Sequence, residues 1–200
     1  MNAFDPVWAP FDEWIAVTIV ATGNSEVYLI NPDTGDKRNI SNDPATDSQA
    51  SWMPGGLRVM FKSNRHSTGL WQHYSVNVFG GDLKLHNWGD AVGSNNHDAS
   101  SSLTPMGEWV AFSSENSEGK WRVILRDLHS SEFIVFEGGL GVDVRSPRWG
   151  PWGESIAFLR STNRAIREWD IVVAAVDGSR ETKAGETGVT DVRLIVWRPL

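Results

Sequence analysis

Five prolines fall in one register along this chain, and that register restricts the fold more than any other feature. Pro10, Pro54, Pro105, Pro151 and Pro199 recur at intervals of 44 to 51 residues, and the residue two before each is Trp8, Trp52, Leu103, Trp149 or Trp197. The fullest copy runs from Asp143 to Phe158, DVRSPRWGPWGESIAF. It reads as a strand ending in Trp149, a Gly150-Pro151-Trp152-Gly153 turn, and a second strand from Ser155 to Phe158. Proline presets φ at about −65° in the second position of a turn, and glycine accepts the positive φ of the corner. The flanking residues are aromatic and β-branched, which suits a half-buried pleated strand. The same order returns at Asp5–Val17, Asp47–Phe61 and Asp98–Phe112, with a shortened copy at Asp191–Leu200.

Each unit continues in register. A third apolar run follows at Val27–Ile30, Tyr74–Val76, Val123–Leu125 and Ile171–Val173, and a tryptophan stands close in front of three of them, at Trp71, Trp121 and Trp169. A turn-rich patch comes next, such as Gly80-Gly81-Asp82 or Asp177-Gly178-Ser179, then a weaker fourth run such as Leu83–Trp88 or Phe133–Phe136. Four short antiparallel strands in about 47 residues, repeated, is the arithmetic of a β-propeller blade. The expected fold is therefore all-β: one propeller domain of four-stranded antiparallel blades at about 1–46, 47–97, 98–142 and 143–190, plus an extra strand at 191–200. Trp8, Trp52, Trp149 and Trp197 are expected between neighbouring blades. A strand left over after four blades fits three readings: a fragment of a larger ring, half of a ring completed by a homodimer, or a closed four-bladed ring.

Composition narrows the function. Net charge is −7 and no basic run exceeds two residues, which argues against nucleic acid as a partner, because phosphate binding needs a basic face. The absence of cysteine removes disulfides, thiolate metal sites and a cysteine nucleophile. No apolar run is long enough to span a membrane.

The order Trp-x-Pro, turn glycine, Ile156-Ala157-Phe158 or Val110-Ala111-Phe112, then Phe61-Lys62-Ser63-Asn64-Arg65, a hydrophobic strand and an Asp-Gly turn resembles the TolB-type, WD-like propeller repeat over essentially the whole chain. Leu103 departs from the pattern, as do the turns Ala-Pro-Phe-Asp and Met-Pro-Gly-Gly. The resemblance implies a non-catalytic scaffold that binds a protein or peptide, in the periplasm or outside the cell. Its alternatives are an accessory, gating propeller of a peptidase-type hydrolase, or a metal-dependent, carbohydrate-active propeller.

Candidate residues fall in two groups. Asp47, Asp98, Asp143 and Asp191 recur five or six residues before the Trp/Leu position, where each innermost strand begins. Gathered at a channel mouth, their carboxylates would suit a hard cation such as calcium or the basic groups of a peptide. Alternatively, each organises its own inter-blade turn through bonds to backbone amides. No resident cofactor and no catalytic residue is expected. The second group lies on or beside irregular loops, where recognition residues concentrate: Arg65, Trp71, His73, Asn95, Asn96, His97, Arg164 and Arg167. Of five histidines, His66, His73, His86 and His97 fall in the second repeat, a clustering without a metal-binding motif.

Overall fold

The computed structural model describes residues 2–10, 13–20, 23–66, 70–86, 99–103, 108–163 and 168–186. They form sixteen strands and, among the described residues, no helix. Blade one holds β1 (Asn2–Trp8), β2 (Ile15–Val20), β3 (Ser25–Ile30) and β4 (Lys37–Asn39). Blade two holds β5 (Asp47–Trp52), β6 (Arg58–Ser63), β7 (Gln72–Asn77) and β8 (Lys84–His86). Blade three holds β9 (Ala99–Leu103), β10 (Trp109–Glu115), β11 (Trp121–Asp127) and β12 (Phe133–Phe136). Blade four holds β13 (Val144–Trp149), β14 (Ser155–Asn163), β15 (Glu168–Ala175) and β16 (Glu181–Glu186). Every sheet is an antiparallel meander in sequence order, so each blade is built from neighbours in the chain. The Trp-x-Pro register is the ladder register: Trp8 pairs with Ile15, Trp52 with Val59, Leu103 with Val110 and Trp149 with Ile156.

The first strand of each blade carries a β-bulge. The ladder slips between Phe4 and Val7, between Ser48 and Ser51, and between Arg145 and Arg148, with a matching slip opposite Phe112 and Ser113 in blade three. At three of these bulges a non-glycine residue takes up left-handed backbone: Asp5 (φ 53°), Gln49 (φ 55°) and Ser146 (φ 56°). Each stands three residues before its tryptophan. A strained geometry kept at one structural position in three blades is a built feature of the inner strand.

The chain divides into two compact units, Met1–Trp88 and Gly89–Leu200, each with two blades and one core. A blade has a leading face, which carries the tryptophan, and a trailing face on its other side. In the first unit the leading face of blade two (Ala50, Trp52, Val59, Phe61, Tyr74, Val76) packs on the trailing face of blade one (Ala16, Val27, Leu29) and on Ile40. In the second, the leading face of blade four (Val144, Trp149, Ile156, Phe158, Val172, Ala174) packs on Ala111, Val123, Leu125 and Phe136 of blade three. Burial on both faces explains why the second strands read as continuous apolar runs instead of alternating ones. Trp52 adds direction, because its Nε1–H donates to the Val7 carbonyl of the preceding blade at 3.0 Å. One expectation fails. Trp8 is not enclosed but is 56% exposed, although Val17 and Ile19 on the same face of the neighbouring β2 are buried. Trp197 lies outside the described residues.

Candidate functional site

Asp47 opens β5 opposite Ser63 and is fully buried. Arg65, just beyond β6, places Nη2 at 2.8 Å from Asp47 Oδ2 and 3.1 Å from the Ser41 carbonyl, while its Nε–H donates to Ser63 Oγ at 2.9 Å. Its guanidinium carbon lies 5.2 Å from the ring centroids of both Phe61 and Tyr74, and the side chain is only 9% exposed. Blade one meets this pair with Glu26, also buried, which accepts from Ser41 Oγ at 2.6 Å and from Asn24 Nδ2 at 2.6 Å. Asn24 in turn donates to the Asp43 and Ala45 carbonyls, and Asp43 stands 3.7 Å from Arg65. Burial raises the Asp47 carboxyl to about 6; the Ser63 hydroxyl, Arg65 and the Ser41 hydroxyl pull against it, and the Glu26 charge adds to it. Desolvation outweighs a 2.8 Å ion pair here, as expected when a carboxylate leaves water.

The second unit builds a similar joint from other positions. Asp143 stands one residue before β13, and the ladder position that Asp47 holds in blade two is held by Val144, opposite Arg160. The five-residue and six-residue spacings to tryptophan are thus two registers, and a one-residue shift changes what a side chain meets. Asp143 Oδ1 accepts from the Trp121 amide of blade three at 3.1 Å, and its own amide donates to Ser161 Oγ at 2.8 Å. The ion-pair partner is Arg145, at 3.3 Å from Asp143 Oδ2. Arg145 lies over the Trp121 ring at 4.3 Å and faces Trp169 at 5.7 Å, with its side chain 37% exposed.

Trp71, Trp121 and Trp169 occupy one structural position: each stands three residues before Tyr74, Ile124 or Val172, which pair with Phe61, Phe112 and Phe158. All three are half-buried. Each carries a cation, Lys62 Nζ lying 4.4 Å above Trp71 and Arg145 serving the other two. The sequence marks the tryptophans through their register. It gives no sign of Lys62 and Arg145, whose role depends on which strand lies beside which ring.

The other candidates separate. His73 is not on a loop: it lies inside β7, paired across the sheet with Lys62 and His86, and is fully buried. The apolar character of Tyr74 and Val76 conceals that their neighbours alternate onto the other face. There, where blades one and three put Val27 and Leu29 or Val123 and Leu125, blade two puts His73 and Ser75. His86 Nε2 lies 2.9 Å from Ser75 Oγ, which also receives Arg58 Nη2 at 3.1 Å. Burial, followed by His73, Arg58 and Lys84, lowers His86 to about 4, so the imidazole is held neutral. Among the described residues no three histidine, aspartate or glutamate side chains gather as a metal site. Asp98, Asp191, Asn95, Asn96, His97, Arg164 and Arg167 lie outside the described residues.

A sequence model of the TolB beta propeller domain matches residues 1–200. The chain belongs to the TolB β-propeller domain family. Among solved structures, this TolB propeller domain is similar to TolB from Acinetobacter baumannii, with 20% identity, a TM-score of 0.72, and coverage of 88% of this chain and 41% of that one. It is similar to a putative TolB from Agrobacterium tumefaciens at 16% identity and TM-score 0.72, covering 93% of this chain and 62% of that one. The β-propeller domain of the Trilobed protease from Pyrococcus furiosus matches at 18% identity and TM-score 0.60, over 92% of this chain and 57% of that one. The chain thus spans less than two thirds of each. Likeness at these identities speaks to the fold.

Proposed function

We propose that this TolB propeller domain is a non-catalytic scaffold that binds a protein partner. The observation that carries the reading is the repeated pairing of a half-buried tryptophan with a cation at the head of the third strand, seen at Trp71 with Lys62 and at Trp121 and Trp169 with Arg145. Aromatic and arginine side chains on a rigid framework are the usual anchors of protein contacts, and the hairpins around them vary in length from blade to blade. We infer that Asp47 and Asp143 serve the joints instead of a ligand: both are buried, with Asp47 Oδ2 directed at Arg65 and Asp143 Oδ1 at the Trp121 amide. The test is affinity capture by the domain from an extract of its source, repeated with Trp121→Ala and Trp169→Ala. Loss of a specific captured protein from both variants, with folding intact, supports the scaffold, and capture indifferent to both substitutions removes it.

The second reading, an accessory propeller of a larger hydrolase, draws on the likeness to the Trilobed protease propeller and to puromycin hydrolase, of which the chain covers 30% at 13% identity. It requires a hydrolase domain in the same polypeptide, and a sequenced transcript decides it.

A further inference from the structure

Blade two breaks the repeat at two exposed corners. Two residues before Ile15, Val110 and Ile156 stand Glu13, Glu108 and Glu154, but two before Val59, their counterpart, stands Leu57. The turn between third and fourth strands shows the same exchange: Asp33, His129 and Asp177 in three blades, Phe79 in blade two. One main-chain bond aligns these positions. The Val78 amide donates to the Leu57 carbonyl at 3.1 Å, as Leu128 does to Glu108 at 2.8 Å and Val176 to Glu154 at 3.2 Å. Leu57 is 71% and Phe79 78% exposed, and their polar counterparts are exposed too. A single exposed apolar side chain is ordinary. Two on adjoining turns, where the same chain elsewhere places polar groups, mark an interaction surface.

The turn that carries Phe79 is fastened, and a cation backs it. The amides of Phe79 and Gly81 both donate to Asn77 Oδ1 at 3.0 Å. Arg38 of blade one donates through Nη1 to the Val78 carbonyl at 2.8 Å, and its guanidinium carbon lies 5.4 Å from the ring centroids of both Phe79 and Trp14. Among the described residues Arg38 meets no carboxylate. The two turns of blade two, residues 53–58 and 77–82, hold one carboxylate, Asp82, and Arg58 and Lys84 share it. The matching turns of blade one hold four carboxylates and those of blade three hold three. We propose that this corner docks a protein segment presenting an apolar pocket edged by a carboxylate: Leu57 and Phe79 enter the pocket, and Arg38 meets the carboxylate. A bilayer is the wrong occupant, because the turns of blade one, in the same unit, expose Glu13, Asp33 and Asp36, which an anionic lipid surface repels. In an antiparallel meander these turns lie at the other end of the blade from the head of the third strand. The surface is therefore separate from the tryptophan–cation sites and does not rest on the scaffold reading.

The test places the photo-crosslinker p-benzoylphenylalanine at position 79 of the full chain in cells of its source, with the same side chain at position 177 of blade four as the control. The expected result is a protein adduct at 79 that 177 does not give. That protein, purified, binds the unaltered chain. Leu57→Glu and Phe79→Asp install residues that other blades carry at these positions, and each weakens binding by roughly 100-fold, as loss of a central anchor does. Arg38→Gln weakens it by about 10-fold and flattens its dependence on salt. Circular dichroism confirms that each variant is folded, and Leu57→Ser and Phe79→Ser replace any that is not. A yield of protein adduct at 79 no greater than at 177 overturns the proposal. So does an adduct to lipid alone or to a second copy of this chain, or a purified protein whose binding is indifferent to Leu57→Glu or to Arg38→Gln.

Discussion

Both joints set an arginine against two aromatic rings and beside an aspartate, yet one is closed and the other open. Arg65 is 9% exposed and is held by a carboxylate, a serine hydroxyl and a main-chain carbonyl at 2.8 to 3.1 Å. Arg145 is 37% exposed, and its aspartate stands at 3.3 Å. The difference follows from where each arginine enters. Arg65 comes from just beyond the second strand and lies over both Phe61 and Tyr74, while Arg145 comes from the first strand and lies over Trp121. The same four chemical parts make a structural clamp in the first unit and an accessible cation–aromatic surface in the second. Residue types therefore do not tell a clamp from a binding surface; burial does.

The comparison breaks most sharply at Arg65. Arg65→Met leaves Asp47 buried without its counter-charge and is expected to cost roughly 3–5 kcal/mol in urea unfolding, while the double variant with Asp47→Leu recovers at least half of that. Next comes acidity. Asp47, raised from 3.8 to about 6, contributes stability that is complete below the unfolded value and is lost as pH rises through about 6. His86, lowered from 6.5 to about 4, contributes stability that is present above 6.5 and is lost as pH falls through about 4. The two oppose each other between pH 4 and 6.5, so the unaltered protein shows a shallow profile there. Asp47→Asn exposes the histidine's slope and His86→Gln the aspartate's, each on the order of 2 kcal/mol across the window. Two slopes of the same sign would contradict the assignment. Trp52→Phe keeps an aromatic ring of smaller size and removes the bond to Val7, at a cost of about 2 kcal/mol in the same unfolding assay. Smallest is Arg145→Ala, expected to cost less than about 1 kcal/mol while shifting tryptophan emission as Trp121 loses its cover.

The blades were legible because proline, tryptophan and the apolar runs repeat in a register that the ladders reproduce; β3 begins two residues before the Val27–Ile30 run and ends with it. The exposure of Trp8 was not, because the repeat says where a tryptophan stands in its ladder and nothing about how far it is enclosed. The aspartates were found by position, but their engagement was hidden. Asp47 is met by Arg65 and Asp143 by a main-chain amide, and neither partner carries the repeat's signature. His73 stands just ahead of the Tyr74–Val76 run, which puts it on or beside a loop by sequence. The ladder shows instead a strand whose trailing face has exchanged valine and leucine for histidine and serine.

The inner-strand bulge has a consequence for how such a chain tolerates insertions and deletions. In a regular strand, one residue gained ahead of Trp52 or Trp149 would turn the whole upstream segment to the opposite face. The left-handed residue at Gln49 or Ser146 sits between the tryptophan and the aspartate, so the tryptophan side of the ladder is anchored independently of what precedes it. A length change upstream of the bulge is then felt by the aspartate alone. Blades two and four already differ in this way, with Asp47 inside its ladder and Asp143 one residue before its own. The bulge partitions the inner strand into a half that must keep its length and a half that is free to vary it.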